Sequence, residues 1–160
     1  MTLDEARALA DRLRAEGKRI VLANGCFDLL HVGHIRYLDA ARRLGDVLFV
    51  GINDDTAVAR LKGAGRPLMP AGEREEMLRA LRAVDHVVVF PDDTADRLVA
   101  AVRPHIHAKG PDYTAESVPE AATVRAHGGH VAIVGDPKDH ASRDVIGVIA
   151  SRFGATRAGR

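Results

Sequence analysis

Residues 19–53 read RIVLANGCFDLLHVGHIRYLDAARRLGDVLFVGIN, and this stretch decides the fold. Residues 19–23 and 46–53 are apolar runs of strand length. Between them Ile35, Leu38, Ala41 and Leu44 recur every third residue, the spacing of one helical face. Val47 to Ile52 is almost continuously apolar instead of alternating, as expected when both faces of a parallel sheet are covered. Strand, helix and parallel strand in succession make one βαβ unit.

The same pattern continues outward. Residues 86–90, 105–109 and 130–134 are further strand-length apolar runs. Met77, Leu78, Leu81 and Val84 recur at helical spacing in a segment with no Gly or Pro between Glu73 and Arg82. Five strands alternating with helices predict an α/β fold: a single doubly wound, Rossmann-like domain with a five-stranded parallel sheet over residues 1–160. Residues 1–18 are expected to form an N-terminal helix and 155–160 a frayed tail. Ligands of such folds collect at the carboxyl ends of the strands, where the strand order reverses. Polar clusters stand after each predicted strand, at residues 24–34, 53–55, 91–94, 109–113 and 135–142. The longest irregular stretch is 61–72, with Gly63, Gly65, Pro67 and Pro70. A connection near the ~12-residue limit usually belongs to a lid or binding loop.

Composition narrows the partners. The 160 residues suit one domain, and 23 Lys plus Arg against 22 Asp plus Glu give no basic field for nucleic acid. A polyanion must therefore be small and locally held. The single cysteine, Cys26, excludes an internal disulfide framework and a Cys-rich zinc site, so a cytoplasmic location is expected. No run approaches the ~20 apolar residues of a membrane span, and residues 1–18 lack a signal-peptide core. His105 with His107, and His127 with His130, lack a third ligand at metal spacing, so no metal site is expected in the protein. Gly63-Ala64-Gly65 lacks the Gly-Lys-Ser/Thr ending of a phosphate-binding kinase loop and follows no strand, which argues against kinase and hydride-transfer readings.

Chemistry concentrates in Asn24-Gly25-Cys26-Phe27-Asp28-Leu29-Leu30-His31-Val32-Gly33-His34. At a strand-to-helix turn, with the helix beginning near His34, both imidazoles approach a helix N-terminus, where free N–H groups favour an anion. Gly33 removes a side chain that would hold phosphate oxygens off the backbone. Taken alone, His-x-Gly-His can equally be a capping or packing arrangement.

This segment resembles the signature of the nucleotidyltransferases that share an HxGH motif with class I aminoacyl-tRNA synthetases. Further segments follow in order: Leu61-Lys62-Gly63 with Arg66-Pro67, Glu73-Arg74 leading to Val84-Asp85, Lys109-Gly110-Pro111-Asp112-Tyr113, and Gly128-Gly129. From about residue 19 to residue 149 the chain resembles the D-glycero-β-D-manno-heptose 1-phosphate adenylyltransferase domain, which many bacteria fuse to a sugar kinase. The resemblance implies ATP and heptose 1-phosphate as substrates, ADP-heptose and pyrophosphate as products, and Mg²⁺ carried by the nucleotide. With no kinase domain expected in these residues, a stand-alone form is anticipated. Partners would be a nucleoside triphosphate and a sugar phosphate, with neither nucleic acid nor membrane, and a homodimer is admitted.

On this resemblance His31 and His34 donate to the triphosphate and the transition state, and Lys62 neutralises phosphate from a closing loop. Cys26 and Phe27 bring main chain to the nucleotide, joined by Gly33, Lys109, Gly110, Asp136, His140, Ser142 and Arg143. Asn53, Asp54, Lys62, Arg66 and Arg74 are candidates for the acceptor. Several keep a second reading: Asp28 orients a histidine or caps the turn, Asn53 and Asp54 are ordinary turn residues, Asp136 and His140 shape a turn, and Arg74 joins a structural network. Where the family carries a Ser/Thr-rich triplet, Ala141 and Arg143 flank the lone hydroxyl of Ser142, and Arg143 could substitute as a charged donor. Glycerol 3-phosphate or amino-alcohol cytidylyl transfer, and nucleotide binding without catalysis, are the alternative functions.

Overall fold

A computed structural model describes residues 1–136 and 140–154. Among these residues the chain runs α1 (Leu3–Ala15), β1 (Ile20–Gly25), α2 (Val32–Arg42), β2 (Val47–Asn53), α3 (Asp55–Lys62), α4 (Ala71–Arg79), β3 (His86–Phe90), α5 (Asp96–Val102), β4 (Ile106–Lys109), α6 (Ala121–Ala126), β5 (His130–Ile133) and α7 (Ser142–Phe153). All strand pairs are parallel, in the order β3-β2-β1-β4-β5. The order reverses between β1 and β4, so the switch point lies at the end of β1. The expected five-stranded, doubly wound fold is the observed one.

Period-two alternation divides the strands between two cores. Ile20 and Leu22 of β1 pack with Ala6 and Ala10 of α1, Leu98 and Val99 of α5, and Val124 of α6. Val21 and Ala23 face the other way, towards Leu38 and Ala41 of α2 and Leu78 of α4. Each side of the sheet therefore excludes water, and the strands carry almost unbroken apolar runs. α1 starts on a capping box in which the Glu5 N–H donates to Thr2 Oγ1 at 3.2 Å and the Thr2 N–H to Glu5 Oε2 at 2.7 Å. By contrast α7 buries no residue and presents Val145, Val148, Ile149 and Phe153 to solvent.

Two expectations need correction. The irregular stretch is 63–70, because Leu61 and Lys62 form the last turn of α3 and Ala71 and Gly72 the first turn of α4. Helical spacing does continue through Val58, Leu61 and Lys62, but Gly63 at φ +90° was the more conspicuous breaker. Helix α2 begins at Val32 rather than His34, with His31 as its cap. The tail 155–160 lies outside the described residues.

Candidate active site

A cleft of about 720 Å³ opens across the carboxyl ends of β1, β2 and β4. On the α2 side of the sheet it is floored by the β1–α2 turn. Here Phe27 and Leu29 both take left-handed backbone, at φ 49° and 63°. A bulky residue rarely adopts it without compensation from its surroundings. Phe27 obtains that from burial: its ring lies 5.2 Å from the His34 ring and 6.4 Å from Tyr37, whose hydroxyl donates to Ala108 O at 2.7 Å.

The two histidines cap the helix they precede. The Gly33 N–H donates to His31 Nδ1 at 3.2 Å, and the His31 N–H donates to His34 Nδ1 at 3.4 Å. The rings stack with centroids 3.9 Å apart. The residues that cap the helix thus also line the cleft. With each Nδ1 accepting a main-chain hydrogen, the ring hydrogen that each imidazole can donate sits on Nε2. Burial, with His31 beside it, lowers the pKa of His34 to about 4, so this ring is a neutral donor near pH 7. Gly33 has a role that the sequence did not reveal, since a Cβ there would meet the His31 ring at 3.0 Å.

Asp28 neither orients a histidine nor caps α2. Its buried carboxylate accepts the N–H groups of Leu68 and Met69 at 2.9–3.0 Å, and Arg66 Nε donates to it at 2.6 Å. Those donors hold its acid form well below the usual carboxylate range against the opposing effect of burial. The 63–70 loop is therefore pinned to the β1–α2 turn, with Arg66 and Lys62 on the cleft wall. Arg74, fully buried, does not line the cleft. Its guanidinium donates to the carbonyls of Met69, Cys26 and Asn53 and pairs with Asp55 at 2.7 Å, tying α4, the β1–α2 turn, β2 and α3 together. Asp54 caps α3 through the Ala57 N–H and also misses the cleft, while Asn53 reaches it but donates from Nδ2 to Asp92 O at 2.9 Å. Thus the last residue of β2 and the one after it are both engaged in turn chemistry. Burial pushes the Cys26 thiol up, so the side chain is no ready nucleophile.

The opposite face of the sheet carries a cluster that sequence reading largely missed. Asn24, His107 and Lys109 share the α5/α6 face by strand alternation. Lys109 Nζ donates to Asn24 Oδ1 at 2.9 Å and lies 3.2 Å from Glu120 Oε2, with the Tyr113 ring centroid 5.1 Å away. His107 Nε2 meets the same Asn24 oxygen at 2.9 Å. Burial lowers the His107 pKa to about 4 and also lowers that of Lys109, while Glu120 raises the latter. Glu120 also accepts the Ala95 N–H at 2.9 Å, and its pKa is lowered by Lys109 and this hydrogen bond despite burial. The signal that could have found Asn24 and Glu120 was the buried lysine, which requires a counter-charge.

At the far rim, Gly110, Asp136, His140, Ser142 and Arg143 all line the cleft. Asp136 pairs with Arg36 at 2.9 Å. The Ser142 hydroxyl donates to the carbonyls of Asp28 and Leu29 at 2.8 and 3.2 Å, so α7 is fastened to the histidine turn. Arg143 is solvated, its Nε 3.8 Å from Asp144. Pro137, Lys138 and Asp139 of the predicted cluster lie outside the described residues.

Fold and site together define a doubly wound α/β domain whose cleft sits at the switch point, with a histidine-capped helix at its floor. The chain belongs to the cytidylyltransferase-like family, whose model matches residues 22–136. It is similar to the bifunctional protein HldE of Pelobacter propionicus, 46% identical over 94% of this chain and 31% of that protein. A bifunctional protein HldE of Streptomyces coelicolor is 49% identical over 82% of this chain and 28% of its own length. The chain thus spans about a third of these curated relatives. The crystal structure of the lipopolysaccharide core biosynthesis protein from Thermoplasma volcanium is 30% identical, with a TM-score of 0.62 over 74% of this chain and 95% of that one.

Proposed function

We propose that this chain transfers a nucleoside monophosphate from a nucleoside triphosphate, ATP, to a sugar phosphate, D-glycero-β-D-manno-heptose 1-phosphate, releasing pyrophosphate. The observation that carries the reading is the reciprocal His31–His34 cap, which brings the N-terminus of α2 and two imidazoles to one cleft. The acceptor phosphate is already an anion, so attack on the α-phosphorus needs no activated Ser or Cys. What it needs is relief of charge crowding. Nε2–H donors fixed before substrate arrives supply that without reorganisation. Lys62 and Arg66 stand on the wall for the acceptor, and Ser142, His140 and Arg143 on the rim for the nucleotide.

Mg²⁺ belongs to the same proposal. Among the described residues no group of three or more His, Cys, Asp or Glu could hold a metal, so the donor set suits an ion that arrives on the triphosphate with phosphate and water ligands. The ion would neutralise phosphate charge. A cytoplasmic location and a homodimer are also part of the proposal. Among the described residues no helix is long and apolar enough to cross a membrane.

Pyrophosphate release measured across the nucleoside triphosphates, with heptose 1-phosphate and glycerol 3-phosphate as acceptors, tests the reading. Turnover is expected with ATP and the heptose phosphate. Turnover confined to CTP and glycerol 3-phosphate would replace it by cytidylyl transfer, and binding without turnover would leave a nucleotide-binding module.

A further inference from the structure

We propose that Asn24 and Lys109 form a donor-only subsite for the phosphate group of the acceptor, and that Glu120 and His107 are positioning residues acting through them. The proposal rests on the nucleotidyl-transfer reading and adds to it where the attacking group sits.

Begin with the amide. Lys109 has no acceptor atom, so the Asn24 atom it contacts at 2.9 Å must be the oxygen. The second contact, from His107 Nε2, then also comes from a donor, which places that ring's hydrogen on Nε2 and leaves its buried Nδ1 without a partner. With its oxygen held twice from below, Asn24 turns its NH₂ the other way, and the residue is half-buried on the cleft. An ammonium has three hydrogens. Asn24 accepts one of them, Glu120 Oε2 is an ion-pair partner at 3.2 Å, and Lys109 also lines the cleft. Both groups can therefore only donate, and a site with donors alone selects acceptor-only ligands, of which a phosphate oxygen is the strongest.

Geometry decides which phosphate. Gly33, His140 and the histidine pair gather on the α2 side, with His140 Cβ close to Gly33. Asn24 and Lys109 lie on the α5/α6 face of the same strand ends. In-line displacement puts the attacking and leaving oxygens on opposite sides of phosphorus. A triphosphate held by the α2 N-terminus thus leaves the opposite side to the acceptor. This assigns Lys109 to the acceptor rather than to the nucleotide.

Glu120 enters because burial favours the neutral amine. Its carboxylate works against that, and so do the more distant Asp96 and the Tyr113 ring face, whereas neutral His107 contributes a dipole. Without Glu120 the Lys109 ammonium would lose its proton at lower pH.

Three measurements on Lys109→Met, Asn24→Ala and Glu120→Gln test the subsite: the acceptor KM, the Kd for nucleotide alone, and the pH dependence of acceptor KM. Lys109→Met is expected to raise the acceptor KM about tenfold or more with nucleotide Kd unchanged, and Glu120→Gln to move the alkaline loss of acceptor affinity to lower pH. Lys109→Met leaves a buried carboxylate. If it does not fold, Lys109→Met/Glu120→Gln removes both charges and carries the same expectation. Equal losses for acceptor and nucleotide, or an unmoved acceptor KM, overturn the proposal. Should no sugar phosphate turn over at all, inorganic phosphate titrated against wild type and Lys109→Met still decides: weaker binding in the variant supports the subsite although the transfer reading fails, and equal binding sinks both.

Discussion

At the residue scale, His31 and His34 show one side chain serving helix start and cleft together. Each Nδ1 is occupied by a main-chain N–H, which is what directs Nε2–H outward. His31→Ala and His34→Ala are each expected to lower turnover by about 10² or more, roughly 2.7 kcal/mol, through lost transition-state stabilisation. Folding should suffer less, since an N-cap contributes about 1 kcal/mol. Near-normal turnover in both folded variants would remove the pair from the chemistry. Arg74 makes the converse case. Its planar fork meets three carbonyls and one carboxylate that lie in different elements, and the point charge of a lysine cannot span them. Arg74→Lys should therefore cost about 2 kcal/mol or more in urea unfolding, because buried acceptors lose their donors. A stability within about 0.5 kcal/mol of wild type would contradict this network role.

At the scale of elements, the β1–α2 turn is the common anchor. The Asp28 carboxylate holds the 63–70 loop while the Asp28 and Leu29 carbonyls receive Ser142 at the start of α7. Asp28→Ala should release the Leu68 and Met69 amides, seen as faster hydrogen exchange at those two positions with α4 still protected. Unchanged exchange there would mean that other contacts hold the loop. The rim of α7 gives a second test. Ser142 already gives its hydrogen to the turn, whereas Arg143 is exposed beside the cleft. Arg143→Ala is expected to weaken nucleotide binding about tenfold and Ser142→Ala by less, following the gap between charged and neutral hydrogen bonds. Titration showing Arg143→Ala unaffected would return that side chain to the solvent.

Across the whole molecule, buried histidines make stability depend on pH. His34 and His107 titrate near 4 in the folded chain against an ordinary value of 6.5, with burial the first cause in both. Between those values the unfolded chain binds more protons, so stability is complete above about pH 6.5 and falls as pH drops towards 4. The held-down carboxylates of Asp28 and Glu120 act in a lower window, losing their contribution only as pH falls through and below the ordinary carboxylate range. Urea midpoints between about pH 7 and about pH 5 should decline in wild type and decline less steeply in His107→Gln, which keeps a donor without the titration. An identical slope would assign the loss to other groups.

What the sequence determined by itself was set by local periodicity. Unbroken apolar runs at residues 47–52 and 87–90, helical spacing from Ile35 to Leu44, and a glycine-spaced histidine pair at a strand end are short-range facts that hold in any chain with this backbone. They were enough for the parallel sheet and for the histidine turn at which the cleft forms, whereas the strand order that places the switch point came from the tertiary structure. The partners of Asp28, Arg74 and Lys109 were decided only by tertiary structure. Asp28 meets residues 38 to 41 positions away, Arg74 reaches as far as Cys26, 48 positions away, and Asn24 and Lys109 are 85 apart, and no local pattern encodes which buried charge meets which. The physical reason is desolvation: a charge taken out of water must find its counter-group wherever packing brings one, so burial selects the partner after the strands have been arranged.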